Sequence, residues 1–166
     1  MTMNLREWVS FVFTILFFIL MFFGASAGST SGGIKIVRHV ILLKNSYNEI
    51  KKHLHQSAVF TLKFNNNKVP QSVVTNILAF MMLYVVIFSL GSIIMTILGV
   101  DFITSIGSVA STLGNVGPGI GEVGPSSNYN SIPNAGKYFL SLLMFIGRLE
   151  LLTFLMILTP VFWKYN

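Results

Sequence analysis

Apolar positions gather into three long runs separated by polar or glycine-rich stretches. The first, Trp8 to Phe23, carries no charge and closes on Gly24-Ala25-Ser26-Ala27-Gly28-Ser29-Thr30-Ser31-Gly32-Gly33. At about 1.5 Å per residue this run reaches roughly 24 Å, short of a hydrocarbon core of about 30 Å, so it predicts a helix that stops inside a membrane or does not span it. Ile34 to Lys44 then reads as a basic helix running on towards the interface. The second run, Ile77 to Leu98, is uncharged and long enough to cross by itself. The third, Tyr138 to Trp163, is also long enough, although it holds Arg148 and Glu150, and Pro160 predicts its termination soon afterwards.

Between the second and third runs, Asp101 to Thr112 predicts a short helix with Asp101 at its N-cap. Its length of about 18 Å is half a bilayer. Leu113-Gly114-Asn115-Val116-Gly117-Pro118-Gly119-Ile120-Gly121 cannot continue it, since glycine costs about 1 kcal/mol and proline about 3 kcal/mol in a helix interior. A short helix followed by an extended glycine-rich segment, set between two spanning helices, outlines a re-entrant pore loop. Such backbone is tolerated at membrane depth where protein buries it or where it lines a water-filled cavity. The expected fold class is all-α integral membrane.

Composition supports this outline. Hydrophobic residues make up 53% of the 166 residues and charged residues 10%, against about 25% charged in an ordinary soluble domain. The absence of cysteine excludes disulfides and thiolate chemistry. A net charge of +6 would suggest nucleic acid in a soluble chain, but here its distribution matters more. Lys35, Arg38, Lys44, Lys51, Lys52, Lys63 and Lys68 face Glu49 alone, whereas Gly99 to Gly136 holds only Asp101 and Glu122. The positive-inside rule places the basic stretch in the cytoplasm. The first helix then runs inward, the second outward, the short helix and glycine segment dip from outside, and the third helix returns inward. Trp8 and Trp163 fall near opposite interfaces, where aromatic anchors belong.

Several motifs fail on chemistry. Gly28 to Gly33 has phosphate-loop spacing, but Ile34 stands where a lysine must reach the phosphates. Gly119-Ile120-Gly121-Glu122-Val123-Gly124 matches a dinucleotide fingerprint by letter, yet Pro125-Ser126-Ser127-Asn128 follows in place of a helix. His39, His53 and His55 lack further ligands at a metal-binding spacing and read as solvated or interfacial. No nucleophile, base and orienter can be assembled, so no enzymatic chemistry is expected. Arg6, the apolar run and Ala25-Ser26-Ala27 imitate a cleavable leader, although Glu7 leaves the leading segment nearly neutral. The small residues at 24–33 otherwise break the helix inside the membrane or form a packing face. Arg148 costs about 2.5–3.5 kcal/mol at mid-membrane. It therefore faces a pore or pairs with another segment, and Glu150, two residues on, points to a different face.

The stretch Gly24 to Lys35, then Thr112 to Gly121, then Gly147-Arg148-Leu149-Glu150-Leu151 and Thr159-Pro160-Val161-Phe162-Trp163 together resemble the C-terminal part of the Trk/Ktr/HKT potassium-uptake superfamily, closest to the bacterial TrkH type. The match runs in order over nearly the whole chain. It implies a pore built from four helix–pore-loop–helix repeats. Residues 1–44 resemble the last helix of the third repeat, 45–73 a cytoplasmic basic connector and 74–166 the complete fourth repeat. Gln56-Ser57-Ala58-Val59 follows His55 where the family more often has a proline, a departure confined to the connector.

The resemblance implies a selectivity filter at Asn115, Val116, Gly117, Pro118 and Gly119, with K+ on the backbone of Asn115, Val116 and Gly117. Gly24, Ala25, Ser26, Ala27, Gly28, Ser29, Thr30, Ser31, Gly32 and Gly33 match the intramembrane gating loop, and Arg148 the pore arginine that faces it. The implied function is K+ uptake across the cell membrane, with K+ as cargo, Na+ or H+ as candidate coupling ions and no covalent cofactor. Implied partners are the remaining repeats, membrane lipid, a second copy of the complete transporter and a cytosolic nucleotide-binding protein of the TrkA/KtrA kind, with no nucleic acid. One filter segment cannot encircle an ion, so the expectation is a C-terminal portion of a pore. The alternatives are a non-transporting truncated membrane protein and, less favoured, an exported protein with a cleaved leader.

Overall fold

The longest uncharged run becomes the longest helix among the described residues. The computed structural model describes residues 4–26, 29, 32–54, 62–65 and 67–149. In chain order the helices are α1 (Leu5–Met21), α2 (Ile36–Leu54), α3 (Gln71–Ile97), α4 (Phe102–Gly114) and α5 (Asn134–Arg148), with a two-stranded hairpin, β1 (Lys63–Phe64) and β2 (Asn67–Lys68), between α2 and α3. The fold is thus mostly helical. Among the described residues, α3 is long and apolar enough to cross a membrane, with a mean hydropathy of 2.5. Val74, Ile77, Phe80, Tyr84, Gly91 and Met95 line its buried face at helical spacing. The opposite face is apolar as well, with Met82, Val85, Leu90 and Ile97 exposed, the all-round pattern of a helix that meets lipid or further protein.

Element bounds depart from the apolar runs where polar residues extend a helix. α3 begins at Gln71, directly after Pro70, well before Ile77. α2 continues past Lys44 to Leu54, carried by polar positions and an exposed ion pair between Lys52 and Glu49 at 2.6 Å. Lys51, Lys52 and His53 occupy its last turn, where positive charge suits the negative end of the helix dipole. The hairpin is a feature the apolar pattern did not foretell. Its turn puts Asn65 at φ +50, a left-handed conformation that asparagine adopts more readily than most residues. The third run is described as a helix from Asn134, upstream of Tyr138, to Arg148. Glu150, Pro160 and Trp163 lie outside the described residues.

The first helix stops as expected. α1 ends at Met21, and its cap residue Phe22 sets its ring edge-on to Phe18, Tyr84 and Phe88 at 5.2, 6.2 and 5.4 Å. The next helix begins at Ile36. The two ends of the intervening stretch are tied: Phe23 and Ile34 form a parallel bridge, and the Gly24 N–H donates to the Ile34 carbonyl at 2.8 Å. His39, expected to be solvated or interfacial, is half-buried, stacked on Phe23 with ring centroids 4.6 Å apart.

α4 occupies the centre, packed between α3 and α5 with the end of α1 against it. Asp101 caps it as expected, its carboxylate accepting from the Ile103 N–H at 3.1 Å. From Thr104 to Gly114 every residue except Ile106 is buried. Most of these residues are small or carry a hydroxyl, so close packing and hydrogen bonding, more than burial of large apolar side chains, hold the helix in place. Small residues provide that closeness. A Cβ on Gly107 would stand 2.6 Å from the Ile120 nitrogen, so the segment returning from α4 lies directly on the helix.

Candidate functional site

Five buried hydroxyls run along α4; Thr104 accepts from the Glu122 N–H at 3.1 Å, and three of the others are spent on nearby backbone of the same region. Ser105 donates to the Val100 carbonyl at 3.2 Å, Ser108 to Ser105 at 3.0 Å and Thr112 to Ser108 at 2.8 Å. Ser111 instead donates to the Gly117 carbonyl at 2.8 Å, across the turn that ends the helix. That turn is made by Asn115 at φ +53, the C-cap of α4, followed by Gly117 at φ +106. Among the described residues beyond its two chain neighbours, no atom lies within 4 Å of a Cβ built on Gly117. Its positive φ, accessible to glycine and costly for other residues, is therefore what demands glycine there, not crowding.

The backbone beyond α4 divides into bonded and unbonded carbonyls. Those of Asn115 and Val116 accept no hydrogen bond among the described residues, and Val116 is exposed. The Gly117 carbonyl, expected to face an ion beside them, accepts two hydrogen bonds from protein: one from Ser111 and one from the Tyr129 hydroxyl, also at 2.8 Å. Gly119 is turned inward, its N–H donating to the Val123 carbonyl at 2.8 Å. The C-terminal end of α4 leads into this segment, and the partial negative charge of a helix end favours a cation.

The three stretches singled out from sequence converge at this end of α4. A Cβ on Gly32 would come within 2.7 Å of the Asn115 side-chain nitrogen, and one on Gly114 within 2.7 Å of the Met21 carbonyl. From the other side, a Cβ on Gly147 would collide with the Leu113 carbonyl and lie 3.1 Å from the same Asn115 nitrogen. Arg148, the next residue, is exposed, and no hydrogen bond of its side chain is made among the described residues. Of the 24–33 stretch, Gly24, Ala25, Ser26, Ser29, Gly32 and Gly33 are described, while Ala27, Gly28, Thr30 and Ser31 lie outside the described residues.

Sequence reasoning missed Ser111 and Tyr129. Ser105, Ser108 and Ser111 recur every third residue, a stripe that could have marked one polar line on α4. Tyr129 belongs to a separate 3₁₀ turn, Tyr129–Ser131, capped by the Asn128 side chain. Nothing in the local sequence links it to Gly117.

Comparison with known proteins places these features in context. The profile of TrkH, described as a cation transport protein, matches residues 2–165. The Trk system potassium uptake protein TrkH of Halomonas elongata is 36% identical over 149 residues, covering 90% of this chain and 30% of that protein. TrkH of Escherichia coli K12 is 34% identical over 163 residues, covering 98% of this chain and 33% of that protein. The crystal structure of the potassium transporter TrkH from Vibrio parahaemolyticus superposes with a TM-score of 0.83 at 35% identity, over 92% of this chain and 32% of that one. The chain therefore spans roughly a third of the length of the curated relatives it matches.

Proposed function

The chain belongs to the TrkH cation transport protein family, and from that membership we propose that it forms the last part of a potassium-uptake pore in the cell membrane. In this reading, residues 115–119 are one of four filter segments. The Asn115 and Val116 carbonyls line the ion path, where they replace part of the hydration shell of K+. The observation that carries the reading is the pair of carbonyls at the C-terminal end of a buried helix that accept no hydrogen bond among the described residues. The 24–33 excursion lies beneath the filter as the gating loop, and Arg148 stands beside it as an electrostatic barrier. α3 crosses the membrane, α4 with its return segment is the pore loop, and the helix beginning at Asn134 crosses back.

The exposed apolar side of α1 supports the same reading. Trp8, Phe11, Phe13, Leu16 and Leu20 are all half or more exposed, a surface suited to the preceding repeats and to lipid. The complete transporter pairs with a second copy, and its cytoplasmic face receives a nucleotide-binding regulator of the TrkA/KtrA kind. K+ is the cargo, with Na+ or H+ as candidate coupling ions. The test is complementation of a K+-uptake-deficient strain by a complete transporter whose final part is this sequence. Growth at low K+ with Rb+ uptake is expected. Absence of uptake by correctly inserted protein refutes the reading.

A further inference from the structure

Glycine at a filter centre raises a mechanical problem. Its freedom lets the backbone adopt φ +106 at Gly117, but the same freedom lets the adjoining peptide planes rotate. A filter discriminates between cations by where its carbonyls point and how firmly they are held. Something must therefore remove the freedom that glycine introduces.

The peptide that joins Gly117 to Pro118 offers one hydrogen-bonding group, because proline carries no N–H. That group is the Gly117 carbonyl, and both of its lone pairs are engaged: Ser111 donates from the buried end of α4 and Tyr129 from the 3₁₀ turn, each at 2.8 Å. The two hydroxyl oxygens stand 3.5 Å apart, so they approach the carbonyl as a pair. Both donors are anchored. Ser111 is 1% exposed. Tyr129 packs against the main apolar core, and its turn is held by the Asn128 cap and by the Lys137 ammonium on the Asn130 carbonyl at 3.5 Å.

We propose that Ser111 and Tyr129 are positioning residues that set cation discrimination by clamping the Gly117 carbonyl away from the ion path. The clamp fixes the Gly117–Pro118 plane and thereby the aim of the neighbouring Val116 carbonyl. It rests on the filter assignment above and assigns to these two hydroxyls a part in selectivity, although neither touches the ion. Losing one donor leaves the carbonyl with a single bond about which the plane can turn.

The test uses the complete transporter in proteoliposomes, with the K+ over Na+ permeability ratio as readout and inserted protein quantified separately. Tyr129→Phe and Ser111→Ala each delete one donor and leave the backbone unchanged. Each is expected to lower the ratio about two- to tenfold, the range set by one net hydrogen bond, while K+ still passes. The double variant is expected to fall further. A ratio unchanged in both single variants, beside a selective wild type, overturns the clamp alone. A correctly inserted wild type that carries no K+ refutes the transport reading and the clamp with it. If Tyr129→Phe fails to insert, Ser111→Ala decides by the same ratio.

Discussion

The side-chain amide of Asn115 donates to the Met144 carbonyl at 3.1 Å, tying the end of α4 to α5 one turn before Arg148. The nitrogen of the same amide is the nearest atom to a Cβ built on Gly32, at 2.7 Å, and lies 3.1 Å from one built on Gly147, behind the Leu113 carbonyl. One planar group thus fills the junction of the proposed filter, the proposed gating loop and the helix that bears the arginine.

Two substitutions at Asn115 separate its backbone role from its amide. Asn115→Gly keeps the left-handed φ of +53 accessible and deletes only the amide, whereas Asn115→Ala deletes the amide and strains the backbone as well. Both are expected to lower the thermal stability of the complete transporter in detergent, Gly by about 1 kcal/mol and Ala by about 1–2 kcal/mol more. Equal stability of the two variants would show that the dihedral plays no part.

Glycines of this region divide by the reason for their presence. Gly107 is required by space, since a Cβ would meet the Ile120 backbone at 2.6 Å, and backbone cannot step aside as a flexible side chain can. Gly107→Ala is expected to cost about 1–3 kcal/mol or to block folding. Gly117 has open space but φ +106. Gly117→Ser is expected to leave the protein inserted and to weaken K+ over Na+ discrimination, at a backbone cost of about 1–3 kcal/mol. Flux assays on inserted protein check both, and selectivity unchanged within error would remove Gly117 from the filter.

The helices were legible where one signal dominated. Asp101 announced the start of α4, and the glycines and proline after Leu113 announced its end. Mostly polar continuations were harder to read: α3 before Ile77 carries Val73 and Val74 among polar residues, with Val74 held by packing on Ile41 and Leu62, and α2 beyond Lys44 spaces Tyr47, Ile50 and Leu54 helically but leaves them exposed. The glycine-rich segment after α4 and the end of α1 could be located from sequence because glycine and small residues cluster there. Their contact through Asn115 could not, since it depends on which glycine in each stretch faces which. The partnership of Gly117 with Tyr129 arises from tertiary folding alone.

Arg148 is exposed at the end of α5, beside the Gly147 that packs on the Leu113 carbonyl. A fixed positive charge in a low-dielectric pore raises the energy of a passing cation. Arg148→Ala in the complete transporter is therefore expected to raise K+ flux. Loss of inserted protein without flux would assign the arginine to holding the 24–33 loop in place instead.

Orientation follows from charge. Asn67 in β2 and Ser127 beyond the proposed filter are both exposed, and the basic stretch that contains Asn67 is expected on the cytoplasmic side. In intact cells, an impermeant thiol reagent should label Ser127→Cys and spare Asn67→Cys. The reverse pattern would invert the topology.

A pore loop at membrane depth is stable when neighbouring protein satisfies its backbone, each unsatisfied group costing several kcal/mol in hydrocarbon. Here the Asn115 and Val116 carbonyls have no hydrogen-bond donor among the described residues, and the apolar side of α1 is open. One filter segment cannot surround an ion. These 166 residues expressed alone are therefore expected to give no K+ uptake and to be degraded or aggregated, and coexpression with the preceding repeats is expected to restore uptake. A symmetric tetramer is the competing arrangement, in which four copies of the 101–121 segment close a filter between them. Growth of a K+-uptake-deficient strain on this chain alone, with a tetramer recovered in detergent, would establish that arrangement and refute the requirement for the other repeats.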